Sequence, residues 1–380
     1  MRIGNKAGLA WGCCMLTKQA AGNRHEPNIM ARSPLVAISI LNWNGWQDTI
    51  ECLKSIRALD YPHYLMMVVD NGSRNDSVAR IREWAMRNLG DMHNLVEYSQ
   101  TVALAGGEDP QESALEGLPP RNKMVLIRNE ENLGYTGGNN VAIHYALSRR
   151  RSADYVFLFN NDATVAPDCM SELVRADQQA DAGVVGATIF DATWQRVVAG
   201  GITLDRLYLG VLARWIPRAR EGTADILDTL GTNGCAVMLR SDVLRAVRKL
   251  RGEYLESRLF WYGDELPLAH AVRQAGYKTI VARRAAVCHK SVHSLGAKSS
   301  LEHYYIARNR VHNAREILPT HWKLVFHLLD IPVTLTRSAW HLFRQRPDFA
   351  RALLCGLSDG YRGVYGKWKF HDQEAAKAIK

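Results

Sequence analysis

Asparagine and aspartate side chains are concentrated in three short segments of the sequence, each directly after an apolar run. These segments are Asn42-Trp43-Asn44, Asp70-Asn71-Gly72-Ser73 and Asn160-Asn161-Asp162. Any one of them is explained at least as well by a turn in which polar side chains bond their own backbone. Three such segments at the ends of three strands would instead meet at one edge of a parallel sheet, where α/β proteins bind their ligands. We therefore predict a binding edge there.

The oxygen-bearing side chains of these segments suit a phosphorylated ligand and a metal ion. The Asp70 carboxylate can accept hydrogen bonds from a nucleobase or a ribose. Asp162, together with Asn160 or a water, offers the oxygen ligands that hard divalent cations prefer, and such a cation would neutralise a diphosphate. His289 lies just past another predicted strand, where a neutral imidazole could complete a metal site. A single histidine is, however, more often structural.

Residues 131–140 form a glycine-rich segment, Glu-Asn-Leu-Gly-Tyr-Thr-Gly-Gly-Asn-Asn, ahead of a predicted helix. Glycine lets the backbone approach a ligand closely, and the N-terminus of a helix attracts anions. A phosphate or a sugar would fit there. A tight connection between a strand and a helix is an equally good explanation.

Two adjacent carboxylates, Asp264 and Glu265, follow the aromatic segment Phe260-Trp261-Tyr262-Gly263 at the start of a predicted helix. Sugar transfer needs a carboxylate that takes the acceptor proton as the hydroxyl attacks, and aromatic faces pack against sugar rings. Taken alone, the pair is explained better by the preference for acidic residues in the first turn of a helix. The predicted binding edge favours the catalytic interpretation of the pair.

Short apolar runs and amphipathic stretches alternate from residue 35 onward, a pattern typical of a parallel sheet with crossover helices. We therefore expect an α/β fold with a mostly parallel central sheet flanked by helices. Residues 99–122 are predicted to be a loop or an insertion because they contain Gly106-Gly107 and Pro119-Pro120. Helices with interleaved basic and apolar residues are predicted from His321 to about Gly363.

Taken together, these motifs resemble the family 2 glycosyltransferases, and the similarity covers roughly residues 34–318. Later motifs are similar to the branch that includes bacterial rhamnosyltransferases. The segments that carry the resemblance are Val36–Asn44, Val69–Ser73, Asn132–Asn140, Phe159–Asp162, Tyr262–Glu265, His289 and Tyr304–Arg310.

The resemblance implies a GT-A fold, a divalent metal (Mg²⁺ or Mn²⁺) and inversion at the anomeric carbon. It assigns Glu265 and Asp264 to catalysis, with position favouring Glu265 as the acceptor base. It assigns two further groups of residues by motif. The implied metal ligands are Asp162, Asn160 and His289, and the implied nucleotide-sugar contacts are Asn42, Asn44, Asp70, Asn132, Gly134, Gly138, Asn139 and Asn161.

Two departures from the family pattern bear on these assignments. Asn160 and Asn161 stand where a carboxylate is frequent, which would weaken metal binding. The acidic pair reads Asp-Glu rather than the commoner Glu-Asp, and Pro267 replaces a frequent acid. Which member of the pair is the base therefore stays open at this point.

The implied reaction moves a sugar from a nucleotide diphosphate donor, dTDP-rhamnose or a UDP-sugar, to a hydroxyl of a glycan or lipid-linked acceptor in bacterial cell-surface polysaccharide synthesis. A nucleotidyltransferase would share the sheet and the metal. It would also need basic residues to grip a triphosphate near the first turn, where Asn42–Trp46 stands instead. A non-catalytic nucleotide- or carbohydrate-binding protein would tolerate loss of the acidic pair, which this chain keeps.

The net charge of +10 lies at the two ends of the chain. Residues 1–34 carry five Lys/Arg against one Glu, residues 301–380 carry thirteen Lys/Arg against seven Asp/Glu, and the middle is neutral. A nucleic-acid-binding domain would carry the charge on its folded body, so no nucleic-acid partner is expected. Basic ends of the chain are suited to an anionic membrane surface, and they are equally typical of tails that keep a protein soluble.

Three regions follow: a disordered or dispensable extension over residues 1–33, a GT-A domain over 34–318, and a helical appendage over 319–380 that contacts a membrane surface or a dimer partner. Seven scattered cysteines without a metal-type pair favour a reducing compartment. No run reaches the ~18 apolar residues of a membrane-spanning helix. We therefore expect a cytoplasmic protein, peripheral on the inner face of the plasma membrane if the appendage binds lipid.

Overall fold

The computed structural model describes residues 33–204, 213–215, 224–290 and 299–369. The chain divides into two compact units, Met1–Ser33 and Pro34–Lys380, and the fold below is that of the second unit. The predicted N-terminal extension, residues 1–33, thus lies outside the described residues apart from Ser33. The strands are β1 (Val36–Asn42), β2 (Tyr64–Asn71), β3 (Leu95–Ser99), β4 (Met124–Asn129), β5 (Tyr155–Asn160), β6 (Ala163–Val165), β7 (Gly183–Phe190), β8 (Val197–Ala199), β9 (Ile202–Leu204), β10 (Ala213–Trp215), β11 (Ile226–Asp228), β12 (Ala236–Arg240) and β13 (Lys278–His289).

Helices precede or follow most of these strands and cover both faces of the sheet. The helices are α1 (Trp46–Arg57), α2 (Ser77–Asn88), α3 (Gln100–Leu104), α4 (Asp109–Glu116), α5 (Gly134–Ser148), α6 (Cys169–Ala180), α7 (Ser241–Arg251), α8 (Glu265–Gln274), α9 (Ser300–Ile317), α10 (Thr320–Phe343) and α11 (Pro347–Arg362). The predicted α/β alternation is thus present, with consecutive helices in the C-terminal part.

The central sheet has the strand order β11-β13-β7-β12-β5-β1-β2-β4-β3. It is parallel from β5 through β1, β2 and β4 to β3, as the alternation predicted. On the other side, β12 runs antiparallel between β5 and β7. Parallel neighbours need a crossover, usually a helix, whereas the described residues between β7 and β12 contain the short strands β8 to β11. The sheet is therefore mixed in this half.

The register of the central strands brings their carboxyl ends to one edge. Asn42, the last residue of β1, pairs with Asp70 near the end of β2. Leu41 pairs on its other side with Asn160, the last residue of β5. All three predicted polar segments therefore leave the sheet at neighbouring positions.

Side chains of the central strands alternate between two apolar cores. In β1, Val36, Ile38 and Ile40 lie in one core and Ala37 lies in the other, with Leu35 just before the strand. Helices α1, α2 and α6 close the first core, and α5, α7 and α8 close the second. Strands buried on both faces consist of nearly continuous apolar runs, which is why the sequence made them easy to locate.

Residues 99–122 contain two helices, α3 and α4, so the prediction of a loop or insertion there was wrong. The side chain of Glu112 in α4 is buried, and its carboxylate accepts hydrogen bonds from the hydroxyls of Tyr98 (3.1 Å) and Tyr145 (2.6 Å) and from the guanidinium of Arg149 (2.8 Å). This polar anchor replaces the apolar face by which an amphipathic helix is normally recognised. The sequence pattern therefore gave no helical signal.

The C-terminal helices α10 and α11 pack beside α9. Gly356 and Gly360 let α11 approach α9 closely, because a Cβ at Gly356 would collide with the carbonyl oxygen of Tyr304. The buried carboxylate of Asp330 in α10 forms an ion pair with Arg310 of α9. Within the described residues, none of the helices is both long enough and apolar enough to cross a membrane.

Candidate active site

At the ends of β1 and β2, the Asp70 carboxylate is held by a hydrogen-bond network. The Asn42 amide donates to Asp70 Oδ1 (2.8 Å), and the Ser73 backbone N–H donates to Asp70 Oδ2 (3.0 Å). Asn42 is fully buried. Its amide therefore orients Asp70 rather than reaching a ligand itself. Asn44 adopts a left-handed backbone (φ 56°) and bonds the loop after β2 through Ser73 and Arg74.

The glycine-rich segment forms the first turns of α5, which begins at Gly134 rather than after the last glycine. A Cβ at Gly138 would crowd Leu41 and Asn71, so this glycine serves the packing of α5 on the sheet. Asn139 is buried, accepts a hydrogen bond from Ser39 (2.9 Å) and donates to the Tyr135 carbonyl (3.0 Å). Both residues thus face the protein interior.

Asn71, a residue that the sequence did not single out as a site residue, organises the same corner. Its amide donates to Asn132 Oδ1 and to the Gly134 carbonyl, both at 3.0 Å. Its Oδ1 accepts the Leu133 backbone N–H (3.2 Å) and the Asn129 amide (3.0 Å). Asn132 is therefore tied to the end of β2 rather than directed at a ligand.

Asp162, Asn160 and His289 converge at the end of β5. His289 Nε2 lies 3.1 Å from Asp162 Oδ1 and 3.4 Å from the Asn160 amide nitrogen. His289 reaches this position because β13 continues through an irregularity between Ala282 and Ala286 as far as His289 and pairs there with β6. Burial by itself lowers the pKa of His289. The electrostatic influence and hydrogen bonds of Cys235 and Asp162 outweigh burial and raise that pKa to about 11.

The donor set at this point fits a divalent cation that receives further ligands from a substrate. Asp162 offers a carboxylate oxygen and His289 an imidazole nitrogen, both of which Mn²⁺ accepts, and an amide flip would present Asn160 Oδ1. Among the described residues, no three His, Cys, Asp or Glu side chains are grouped as a metal site. Mg²⁺ and Mn²⁺ typically bind through one or two carboxylates plus phosphate oxygens, so two or three protein ligands suffice.

A chain of hydrogen bonds connects this cluster to Asp70. The Asn161 amide donates to Thr49 Oγ1 (3.1 Å), which donates to Asn42 Oδ1 (2.9 Å), and the Asn42 amide then reaches Asp70. Thr49 lies in the first turn of α1 and was not predicted from the sequence. This chain of hydrogen bonds gives Asn161 a structural role and fixes the distance between Asp70 and Asp162.

The acidic pair lies on the other side of β5. Asp264 is buried, with 7% of its surface exposed, whereas Glu265 at the start of α8 is half-buried. Burial raises the pKa of Glu265 above the usual range of a glutamate, and it outweighs the backbone N–H groups of Glu265 itself, Gly234 and Gly263, which lower that pKa. Burial and the charge of Glu265 raise the pKa of Asp264 as well. Gly234 directly precedes Cys235, whose carbonyl accepts the Asn160 N–H (2.9 Å), so the pair adjoins the cluster at Asp162.

Comparison with known proteins gives one family match. Residues 109–245, which include α5 and the segment Asn160–Asp162, match the model of glycosyl transferase family 2. The sequence matches none of the curated proteins with which it was compared.

Solved structures with a similar fold include a mannosyltransferase, PcManGT from Pyrobaculum calidifontis, in complex with GDP-Man and Mn²⁺. It is 14% identical to this chain with a TM-score of 0.51, over 86% of this chain and 87% of the mannosyltransferase. TarS 1–349 from S. aureus in complex with UDP-GlcNAc is 12% identical with a TM-score of 0.48, over 84% of this chain and 79% of TarS. The predicted GT-A type α/β fold with C-terminal helices is thereby confirmed.

Proposed function

Starting from the match to glycosyl transferase family 2, which confirms the predicted family and enzyme class, we propose that this glycosyltransferase inverts the anomeric configuration of the sugar it transfers. The donor is dTDP-rhamnose or a UDP-sugar, and the acceptor is a hydroxyl of a glycan or lipid-linked molecule in bacterial cell-surface polysaccharide synthesis. The single observation that supports this best is the arrangement at the end of β5. There the cluster of Asp162 and His289 adjoins Gly234-Cys235, the backbone segment beside which the Glu265 carboxylate lies.

Asp70 binds the nucleoside part of the donor in this proposal. Its carboxylate, oriented by Asn42 and Ser73, accepts hydrogen bonds from the base or the ribose. The other residues assigned by motif shape the edge around it: Asn44, Asn132, Gly134, Gly138, Asn139 and Asn161. Because most of them form hydrogen bonds to other groups of the protein, they act by fixing the backbone that contacts the nucleotide sugar.

Asp162 and His289, with Asn160, hold Mg²⁺ or Mn²⁺ together with the donor diphosphate. The cation supplies neutralisation of the charge that develops on the leaving diphosphate. PcManGT, a protein of similar fold, was solved with GDP-Man and Mn²⁺. His289 would bind such a cation through a deprotonated ring nitrogen, since a metal ligand must be deprotonated.

Glu265 acts as the general base. Its carboxylate takes the proton of the acceptor hydroxyl as the oxygen attacks the anomeric carbon, and the bond from that carbon to the diphosphate breaks on the opposite face. Glu265 is preferred over Asp264 because it is the more accessible of the two. Asp264 is buried beside it at the N-cap position of α8, where its side chain makes no capping hydrogen bond.

The donor class is tested by ligand-induced thermal stabilisation. With Mn²⁺ present, we expect at least one member of a panel of dTDP-rhamnose, UDP-GlcNAc, UDP-galactose and GDP-mannose to raise the melting temperature. A ligand present at about 100 times its Kd stabilises the folded state by about 2.7 kcal/mol. The nucleoside monophosphates serve as controls for binding through the base alone. No stabilisation by any nucleotide sugar would contradict the proposed donor class.

We also propose that the appendage 319–380 follows a GT-A domain ending near residue 318 and lies on the cytoplasmic membrane face. Apolar side chains are exposed along one side of α10, where spacings of four and seven residues place Leu324 (65% exposed), Leu328 (66%) and Leu335 (51%) together. Phe343 at the end of α10 is 85% exposed. The exposed arginines at 337, 344 and 346 match an anionic surface, as in helices that lie at a bilayer interface.

Liposome flotation tests this location. We expect the full chain to float with vesicles of phosphatidylglycerol and phosphatidylcholine at low salt, and the variant Leu328→Glu/Leu335→Glu to remain in the dense fraction. The control Met86→Glu alters an equally exposed apolar side chain on α2 and should float normally. If the unaltered chain ignores the vesicles, the membrane location is wrong. A second copy of the chain would then be sought on α10 by sedimentation.

A further inference from the structure

The loop that leads into the acidic pair has an unusual backbone. Phe260 (φ 66°) and Tyr262 (φ 61°) are in the left-handed region, which aromatic residues rarely adopt, and Gly263 follows with φ 79°. Such conformations persist only where the surrounding structure enforces them. Because Asp264 and Glu265 come directly after this loop, whatever enforces it also determines where the two carboxylates lie.

Asn309 of α9 makes the densest set of contacts to this loop. Its amide nitrogen lies within hydrogen-bond distance of three carbonyl oxygens, those of Leu259 (3.1 Å), Trp261 (2.8 Å) and Tyr262 (2.7 Å). Its Oδ1 accepts a hydrogen bond from Nε of Arg308 (2.9 Å). Carbonyl oxygens only accept and a guanidinium only donates, so this orientation of the amide is the one that its surroundings require.

Other groups complete the support on both sides of the loop. The Arg308 guanidinium, fully buried, donates to the Leu259 carbonyl (2.7 Å) and lies over the rings of Tyr304 and Tyr305. Asn313, one turn further along α9, donates to the Gly263 carbonyl (2.7 Å). From the α5 side, the Tyr135 backbone N–H donates to the Phe260 carbonyl (2.7 Å).

We propose that Asn309 is a positioning residue for sugar transfer: by binding the carbonyls of Leu259, Trp261 and Tyr262, it fixes the loop that places the Glu265 carboxylate. This inference rests on the proposed role of Glu265 as the base. Asn309 is 1% exposed and so touches neither donor nor acceptor. It acts on the reaction only through the backbone between Leu259 and Glu265.

The expected effect follows from the geometry that proton transfer needs. Without the amide donors, the carbonyls of Trp261 and Tyr262 lose this hydrogen bond, the Leu259 carbonyl keeps only its other donors, and the left-handed residues can relax toward ordinary conformations. A displacement of a reacting group by about 1 Å can cost about 10²-fold in rate. Asp70 at the end of β2 and Asp162 after β5 lie outside this loop, so we expect donor binding to change less than the rate of proton transfer. The predicted signature is therefore a lower kcat with a smaller change in KM for the nucleotide sugar.

The test uses Asn309→Asp, which keeps the side-chain shape and the acceptor for Arg308 but removes both amide donors. We expect the rate of nucleoside diphosphate release from the nucleotide sugar, with Mn²⁺ and water as the acceptor, to fall about 10²-fold at saturating donor. The control is Asn94→Asp, in which a buried amide that donates to the Leu89 carbonyl (2.7 Å) is altered beside β3. It should reduce the melting temperature without reducing kcat.

A double-mutant cycle with Glu265→Gln separates this inference from the proposed function. If Asn309 acts through Glu265, Asn309→Asp should change the rate of the Glu265→Gln variant by less than about threefold, since groups that act as a unit are not additive. Additive losses, or a normal kcat in Asn309→Asp, would overturn the positioning role. A normal kcat in Glu265→Gln alone would instead overturn the base assignment. Should Asn309→Asp not fold, Asn313→Asp, which loses only the bond to Gly263, replaces it in the same cycle.

Discussion

Replacing Asp162 by Asn is expected to lower turnover by about 10³-fold while leaving the fold intact. Asparagine has the same shape as aspartate but lacks the negative charge that faces His289 at 3.1 Å. The carboxylate is the one acidic group contributed by the segment Asn160–Asp162, so its loss removes most of the protein's attraction for a cation there. The melting temperature should change little, because the side chain is partly exposed.

The measurement is the steady-state rate at saturating donor over a titration of Mg²⁺ and of Mn²⁺, with Asp168→Asn as the control. Asp168 is an exposed acid just before α6, six residues from Asp162, and its side chain makes no capping hydrogen bond. We expect Asp168→Asn to behave like the unaltered chain. Near-normal turnover of Asp162→Asn at saturating metal would show that this carboxylate does not hold the cation.

Replacing Glu265 by Gln is expected to lower kcat by about 10²-fold or more with donor affinity nearly unchanged. The amide keeps the size of the side chain but cannot take the acceptor proton. Asp264→Asn should cost less, since Asp264 is buried behind Glu265 and does not reach the acceptor. A larger loss in Asp264→Asn than in Glu265→Gln would reverse the assignment within the pair and leave the enzyme class unchanged.

The pH dependence of kcat provides a second measure of the same residue. A general base works only when deprotonated, and burial raises the pKa of Glu265. As the pH is lowered, the rate should therefore begin to fall at a higher pH than an ordinary glutamate would give. Glu265→Gln should remove this acidic limb from the residual activity. Persistence of the limb in that variant would assign it to another group.

Much of the fold could be predicted because the patterns of neighbouring residues in the sequence indicate where its strands and helices lie. The strands β1, β2 and β5 are apolar on both faces and end in Asn or Asp. Their positions and their common edge could therefore be predicted from the order of apolar and polar residues in the sequence. The helices α3 and α4 could not be predicted, because α4 is anchored by the buried Glu112 rather than by an apolar face.

The segments that form the site could be predicted from the sequence, but which of their side chains face a ligand could not. Asn42, Asn139 and Asn161 have the residue types of ligand contacts, yet each bonds another part of the protein. Residue type alone cannot tell these two uses apart, because an asparagine amide serves a ligand and a buried carbonyl equally well. The direction of the side chain depends on register and on helix starts, such as that of α5 at Gly134.

Long-range pairing supplied what local patterns could not. His289 meets Asp162 only because β13 continues through an irregularity and pairs with β6. Asn309 reaches the loop before Glu265 from a helix some fifty positions away in sequence. The motif Tyr304–Arg310 was visible in the sequence, but its contacts to the loop depend on how α9 packs, and only the structure gives that.

We propose that Glu265 and the cluster of Asp162 and His289 form one catalytic site for sugar transfer. The most direct test of this proposal is the release of nucleoside diphosphate from the stabilising nucleotide sugar, with water as acceptor, measured with Mn²⁺ and again after chelation by EDTA. We predict steady release that requires the metal and that falls in both Asp162→Asn and Glu265→Gln. Binding of the nucleotide sugar without any release of nucleoside diphosphate, with or without metal, would contradict a shared catalytic site and indicate a binding protein.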